Sequence, residues 1–167
     1  MSTLKVNKII PTAGVPTGGG GGIIQVVSAL KTDQFSVTNT SFTDIPSLSL
    51  SITATSATSK FYVMASVFAA CTDAALLRIL KDSTNVGSGT VGSQTDYRAF
   101  AMVRMSASNH GFHYGINFFN TAGDTNAHTF KIQAMPTSGS NAIQINRRGD
   151  DGNYSLSSSL SVMEVSA

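Results

Sequence analysis

Ser47-Leu48-Ser49-Leu50-Ser51-Ile52-Thr53 alternates without a break. Successive side chains of a strand point to opposite faces, so Leu48, Leu50 and Ile52 share one face and the hydroxyls share the other. This is a half-buried strand. The pattern returns near the C-terminus, where Leu156, Ser158, Leu160, Val162 and Glu164 have one parity and Ser159, Ser161, Met163 and Val165 the other. Helical spacing of apolar residues is hard to find. Further strands are expected over residues 23–30, 60–70, 75–81, 97–105, 112–119, 127–135 and 142–146. Turn chemistry separates them, in Lys81-Asp82-Ser83-Thr84-Asn85, Asn120-Thr121-Ala122-Gly123-Asp124, Pro136-Thr137-Ser138-Gly139-Ser140 and Arg148-Gly149-Asp150-Asp151-Gly152. Many short strands without intervening helices indicate an all-β sandwich, and a jelly roll is the first choice of topology.

Composition limits the function classes. Charged residues are 12% of the chain while Ser and Thr number 41, too little charge for a typical cytosolic enzyme and too much apolar content for disorder. The outer faces of the strands should therefore be wetted largely by hydroxyls. From Gly18 onward nine basic residues balance nine acidic ones, so the net +2 comes from Lys5 and Lys8. A nucleic-acid binder would carry a basic stripe on the body, and none is visible. Cys71 follows Val67-Phe68-Ala69-Ala70 and reads as a small buried apolar residue. No apolar stretch approaches membrane-helix length and no signal peptide is evident, so a cytoplasmic site of synthesis without membrane insertion is expected.

Some strands are apolar on both faces. In Phe61-Tyr62-Val63-Met64-Ala65-Ser66-Val67-Phe68 one parity holds Phe61, Val63, Ala65 and Val67, the other Tyr62, Met64, Ser66 and Phe68. The same excess occurs at Ala101-Met102-Val103 and at Ile116, Phe118 and Phe119. A sandwich strand in a monomer has one face to bury. The second face is expected to meet neighbouring copies around a symmetry axis, with Tyr62, Met64, Phe68, Met102 and Phe118 as interface residues, or else to lie under a loop of its own chain.

Five glycines, Gly18 to Gly22, split the chain into an arm (1–17), a joint (18–22) and a body (23–167). Glycine loses the most backbone freedom on folding, so such a run suits a flexible tether. The arm is expected to dock on a partner. Leu4, Val6, Ile9 and Ile10 would pair as an added strand on an acceptor edge.

Catalytic patterns are weak. Abundant serines make a Ser/His/Asp match uninformative, no Gly-x-Ser-x-Gly elbow occurs, and the glycine run lacks the Gly-Lys-Ser or Gly-Lys-Thr of a phosphate loop. Acidic residues stand singly apart from Asp150-Asp151, so no enzyme, cofactor or resident metal is expected. His110, His113 and His128 read as loop or surface residues; one per chain would bind a metal only if a three-fold axis gathered three imidazoles. Arg147, Arg148, Asp150 and Asp151 form the most charged spot of the body. They read as a solvated hairpin turn, a calcium site, or a contact for a partner's carboxylates or a host polysaccharide. Tyr97, Tyr114 and Tyr154 could add sugar-stacking surface or lie as buried-edge residues.

The opening Met1-Ser2-Thr3-Leu4-Lys5-Val6-Asn7-Lys8-Ile9-Ile10, the glycine run, Gly22-Ile23-Ile24-Gln25-Val26-Val27, Phe42-Thr43-Asp44-Ile45-Pro46 and the closing Leu160-Ser161-Val162-Met163-Glu164-Val165 resemble small tail-fibre-like and virion structural proteins of tailed phages, of the marine phage and cyanophage type. The resemblance implies a trimeric jelly-roll knob, in the manner of the tumour-necrosis-factor and complement-globular-head superfamily. It also implies that the N-terminal arm holds the knob to a tail, baseplate or capsid protein. The virion would be its final location, and host cell-surface glycan a partner of its loops. No coiled-coil or β-helical shaft is visible, which brings capsid decoration forward as the alternative to a fibre.

Overall fold

A computed structural model describes residues 22–90, 97–107 and 110–166. Among them are eleven strands and no helix: β1 (Ile23–Lys31), β2 (Phe35–Val37), β3 (Thr43–Thr53), β4 (Lys60–Ala70), β5 (Ala75–Lys81), β6 (Thr84–Val86), β7 (Ala101–Val103), β8 (Phe112–Thr121), β9 (Ala127–Pro136), β10 (Ile143–Ile145) and β11 (Ser158–Val165). Within the described residues no helix is long and apolar enough to cross a membrane.

All strand pairings are antiparallel, in two sheets. Sheet I runs β1-β11-β4-β10-β2, with β8 on β4. β11 pairs with residues 60–66 of β4 and β10 with Ala69 and Ala70, while β8 pairs with 60–69, so β4 is the central strand. Sheet II runs β3-β9-β5-β6, with β7 also on β5. The arrangement is consistent with a β-sandwich. One core lies between the sheets, built from the inward parity of each strand: Leu48, Leu50 and Ile52 of β3, Phe61, Val63 and Val67 of β4, Leu77 and Ile79 of β5, Leu160 and Val162 of β11. Phe61 meets Phe130 of β9 edge to face, centroids 5.5 Å apart.

The alternating stretch is the second half of a longer β3. Between Asp44 and Ser49 the register shifts, so that four residues of β3 face one residue, Ile132, of β9. Pro46 lacks an amide hydrogen and Ser47 takes φ 66°, which breaks the ladder while Ile45 and Leu48 stay buried. The expected strand 97–105 shortens to β7. The expected turn 81–85 tightens to Asp82-Ser83, with Asp82 at φ 56°, because Thr84 already pairs with Lys81. The segment 148–152 is not a hairpin turn. β10 and β11 both run antiparallel to β4 and therefore run the same way, so 146–157 connects strands that a hairpin cannot join. Hydroxyls do wet sheet II, through Ser49, Ser51, Thr53 and Thr129, but the outer face of sheet I is different.

Candidate interaction surface

The outer face of sheet I follows from register. Val26 of β1 lies beside Met163 of β11, Met163 beside Tyr62 of β4, and Tyr62 beside Phe119 of β8, an apolar row across four strands. The next row is Ser28, Ser161, Met64 and Asn117, and the third Leu30, Ser159, Ser66 and Gly115. Val26, Leu30, Met64 and Phe119 are 55%, 64%, 39% and 60% exposed. Tyr62 and Phe119 pack with centroids 4.8 Å apart, and the Tyr62 hydroxyl accepts from Asn117 Nδ2 at 2.8 Å. A groove of about 400 Å³ runs along this face over Met64, Ser66, Gly115 and Asn117. Charge enters only at its ends, with Lys60 at one and His113 at the other.

Of the five expected interface residues, Tyr62 and Met64 lie on this face. Phe68 shares their parity but is buried, beneath the start of β8, where a Cβ on Gly111 would come within 2.4 Å of its ring. Phe118 pairs with Val63 and packs toward the core, with its ring against Gly87; Phe119 takes the exposed place. Met102, 61% exposed, belongs to sheet II and is not part of the surface. Over the three rows no described segment of the chain roofs the face; only its Phe68 end is covered, by Gly111. Sequence parity could have found Phe119, since it follows Phe118, but only pairing with Tyr62 shows which of the two points outward.

The charged spot lies in the 146–157 connection. Arg148 donates from Nη2 to Asp151 Oδ2 at 2.8 Å, and its Nε stands 3.3 Å from Asp150 Oδ1. The hydrogen bond from Arg148 holds Asp151 below the usual carboxylate range. Both carboxylates therefore turn to Arg148 instead of converging on a cation position. Tyr154, which the guanidinium covers at 4.3 Å, and Phe112 stand open beside this connection. Arg147 donates to the Arg148 carbonyl and takes no part in the cluster.

The histidines part company. His110 and His113 are exposed, and His113 Nδ1 lies 3.1 Å from the Ser66 hydroxyl. His128 is buried, contrary to the surface reading. β9 turns it inward beside Phe61, with Nδ1 2.9 Å from Asp82 Oδ2 and Nε2 3.3 Å from Asp124 Oδ1. The hydrogen bond with His128 heads the causes that lower the Asp82 pKa. Among the described residues no group of three or more His, Cys, Asp or Glu could hold a metal ion. The docking residues Leu4, Val6, Ile9 and Ile10 lie outside the described residues. Set against models of known protein families the chain matches none, and no curated protein is significantly similar to it.

Proposed function

We propose that this chain is a virion structural protein of a tailed phage, a jelly-roll knob that trimerises through the outer face of sheet I and is held to other virion proteins by residues 1–17. The observation that carries self-association is the contrast between the two outer faces. Sheet II offers hydroxyls, the Lys131–Asp44 ion pair and, on β7, the single exposed Met102, whereas sheet I offers an apolar row across four strands flanked by serines, with charge only at its ends. A partner for such a face needs no countercharge, and another copy of the chain supplies a matching surface.

The jelly roll is supported by the path of the chain, which passes from β3 in sheet II to β4 in sheet I, to β5 in II, and later from β8 in I to β9 in II and back to β10. Trimer stoichiometry and the phage virion come from the resemblance of the arm, glycine joint and strand sequences. The knob would be tail-fibre-like, with its loops free to contact a host surface glycan. A second reading, capsid decoration, is favoured by the lack of any shaft pattern in these 167 residues.

Light scattering on the chain with and without residues 1–22 tests the proposal. A mass of about 52 kDa for the full chain, three copies of 17.4 kDa, and an unchanged stoichiometry after truncation are expected. A monomer overturns it. Attachment to virions should require the arm; truncated chains that still decorate capsids would overturn the docking role.

A further inference from the structure

Where the 146–157 connection passes the start of β8 it borders an open cleft of about 460 Å³, within the roughly 300–1,000 Å³ range of small-molecule sites. Phe112 and Tyr154 form open aromatic walls, 58% and 55% exposed, above the buried ring of Phe68. Arg148 and His110 supply the polar lining and Leu156 completes it. Large aromatic surface is costly to leave in water, so two half-exposed rings facing one cleft point to a ligand with a flat apolar side.

The loop that presents Tyr154 is braced. Gln34 Nε2 donates to the carbonyls of Gly152 at 2.8 Å and Tyr154 at 3.3 Å and to the Ser155 hydroxyl at 3.0 Å. Asp151 accepts from the Asn153 amide at 3.2 Å, and the Leu156 amide donates to the Asn146 carbonyl at 3.0 Å. A wall fixed before binding lowers the ordering cost of a weak ligand. Arg148 Nε is shielded from solvent and has no hydrogen-bond partner among the described residues. The guanidinium of Arg148 already faces the carboxylates of Asp150 and Asp151, so its charge is met without a ligand and gives an anion little to pair with.

We propose that this cleft binds a neutral pyranose. The axial C–H groups of a sugar ring carry slight positive potential and suit the negative face of Phe112 or the face of Tyr154 that the Arg148 guanidinium leaves free, and hydroxyls, which both donate and accept, suit a guanidinium beside carboxylates. The site deepens the reading of a knob with ligand-contacting loops and rests on it for the source of the sugar, a host surface glycan. Three weak sites on one trimer would act by avidity.

Ligand-observed saturation-transfer NMR on the full chain, with the methyl glycosides of mannose, galactose and glucose and with glucuronate as the anionic comparison, tests this. Transfer to the ring protons of at least one neutral glycoside is expected. Affinity should fall by about tenfold in Tyr154→Ala and in Phe112→Ala, with melting temperature and mass unchanged. No transfer to any neutral glycoside, transfer that survives both substitutions, preference for glucuronate, or capture of a 1–17 peptide without sugar binding would each overturn the proposal. Light scattering on the same samples separates the two readings: a trimer that ignores sugars defeats only the cleft, and a sugar-binding monomer defeats only the knob.

Discussion

Glu164 sits on the inward parity of β11 with Leu160 and Val162, fully buried, and among the described residues no basic side chain partners it. Its Oε1 accepts from the Thr55 amide and hydroxyl, both at 2.7 Å, and its Oε2 from Gln25 Nε2 at 2.6 Å, which ties β1, β11 and the β3–β4 connection together. Burial opposes the charge, but the hydrogen bonds from Thr55, Gln25 and Ser59 outweigh it and hold the carboxyl below its ordinary value of 4.5. A depressed folded-state pKa adds stability that is fully present above the unfolded value and is lost as pH falls through the folded one. Chemical denaturation between neutral pH and pH about 3 should show stability dropping in acid, with a shallower drop in Glu164→Gln. Glu164→Ala strands the Thr55 and Gln25 donors and should cost about 3 kcal/mol at neutral pH. A loss below about 0.5 kcal/mol would mean that water replaces the carboxylate freely. The parity of Glu164 was legible in the sequence, since it continues the Leu160–Val162 series. Its partners were not, because Gln25 and Thr55 are brought to it by pairings more than a hundred residues apart in the chain.

At the scale of elements, legibility followed length. β4 and β5 have the bounds expected from the sequence, because a run of seven to eleven mostly apolar residues ended by turn residues stands out from its surroundings even without alternation. β2 and β6, three residues each, are too short to stand out in this way and were missed. The bulge in β3 hid its first half, since Pro46 and Ser47 interrupt the alternation that Leu48 resumes. The same reasoning separates surface from core on neighbouring residues of β8 and β4. Phe119→Lys places a charge on the exposed apolar row, so it should leave a folded chain of monomer mass; Phe68→Glu places a charge under Gly111 and beside the buried end of β10, so it should unfold the chain or leave it insoluble. Circular dichroism and light scattering on the two variants distinguish these outcomes. A Phe119→Lys chain that remains assembled would remove the outer face of sheet I from the interface.

For the molecule as a whole, the class of fold was written in the alternation, while the surface was only half written. Parity identified a second apolar face on β4, but the row Val26–Met163–Tyr62–Phe119 depends on four strands drawn from both ends of the chain, and no local pattern states that register. That row also dictates how assembly should respond to solvent. Salt screens charges over about 10 Å at 0.1 M and leaves apolar burial nearly untouched or slightly strengthened. If copies meet through sheet I, raising NaCl from about 0.05 M to about 0.5 M should change the dissociation constant less than about threefold, since Lys60 and His113 are the only charge-bearing residues at the ends of the rows. Cooling toward 5 °C should weaken assembly, because apolar burial loses driving force in the cold. Sedimentation equilibrium at the two salt concentrations, and at room temperature against about 5 °C, reads both effects. A dissociation constant that rises by orders of magnitude with salt would move the contact to the body's charged connection around Arg148 and Asp151, or to Lys5 and Lys8 of the arm, and with it the reason for exposing Val26, Leu30, Met64 and Phe119 would have to be found in a partner other than this chain.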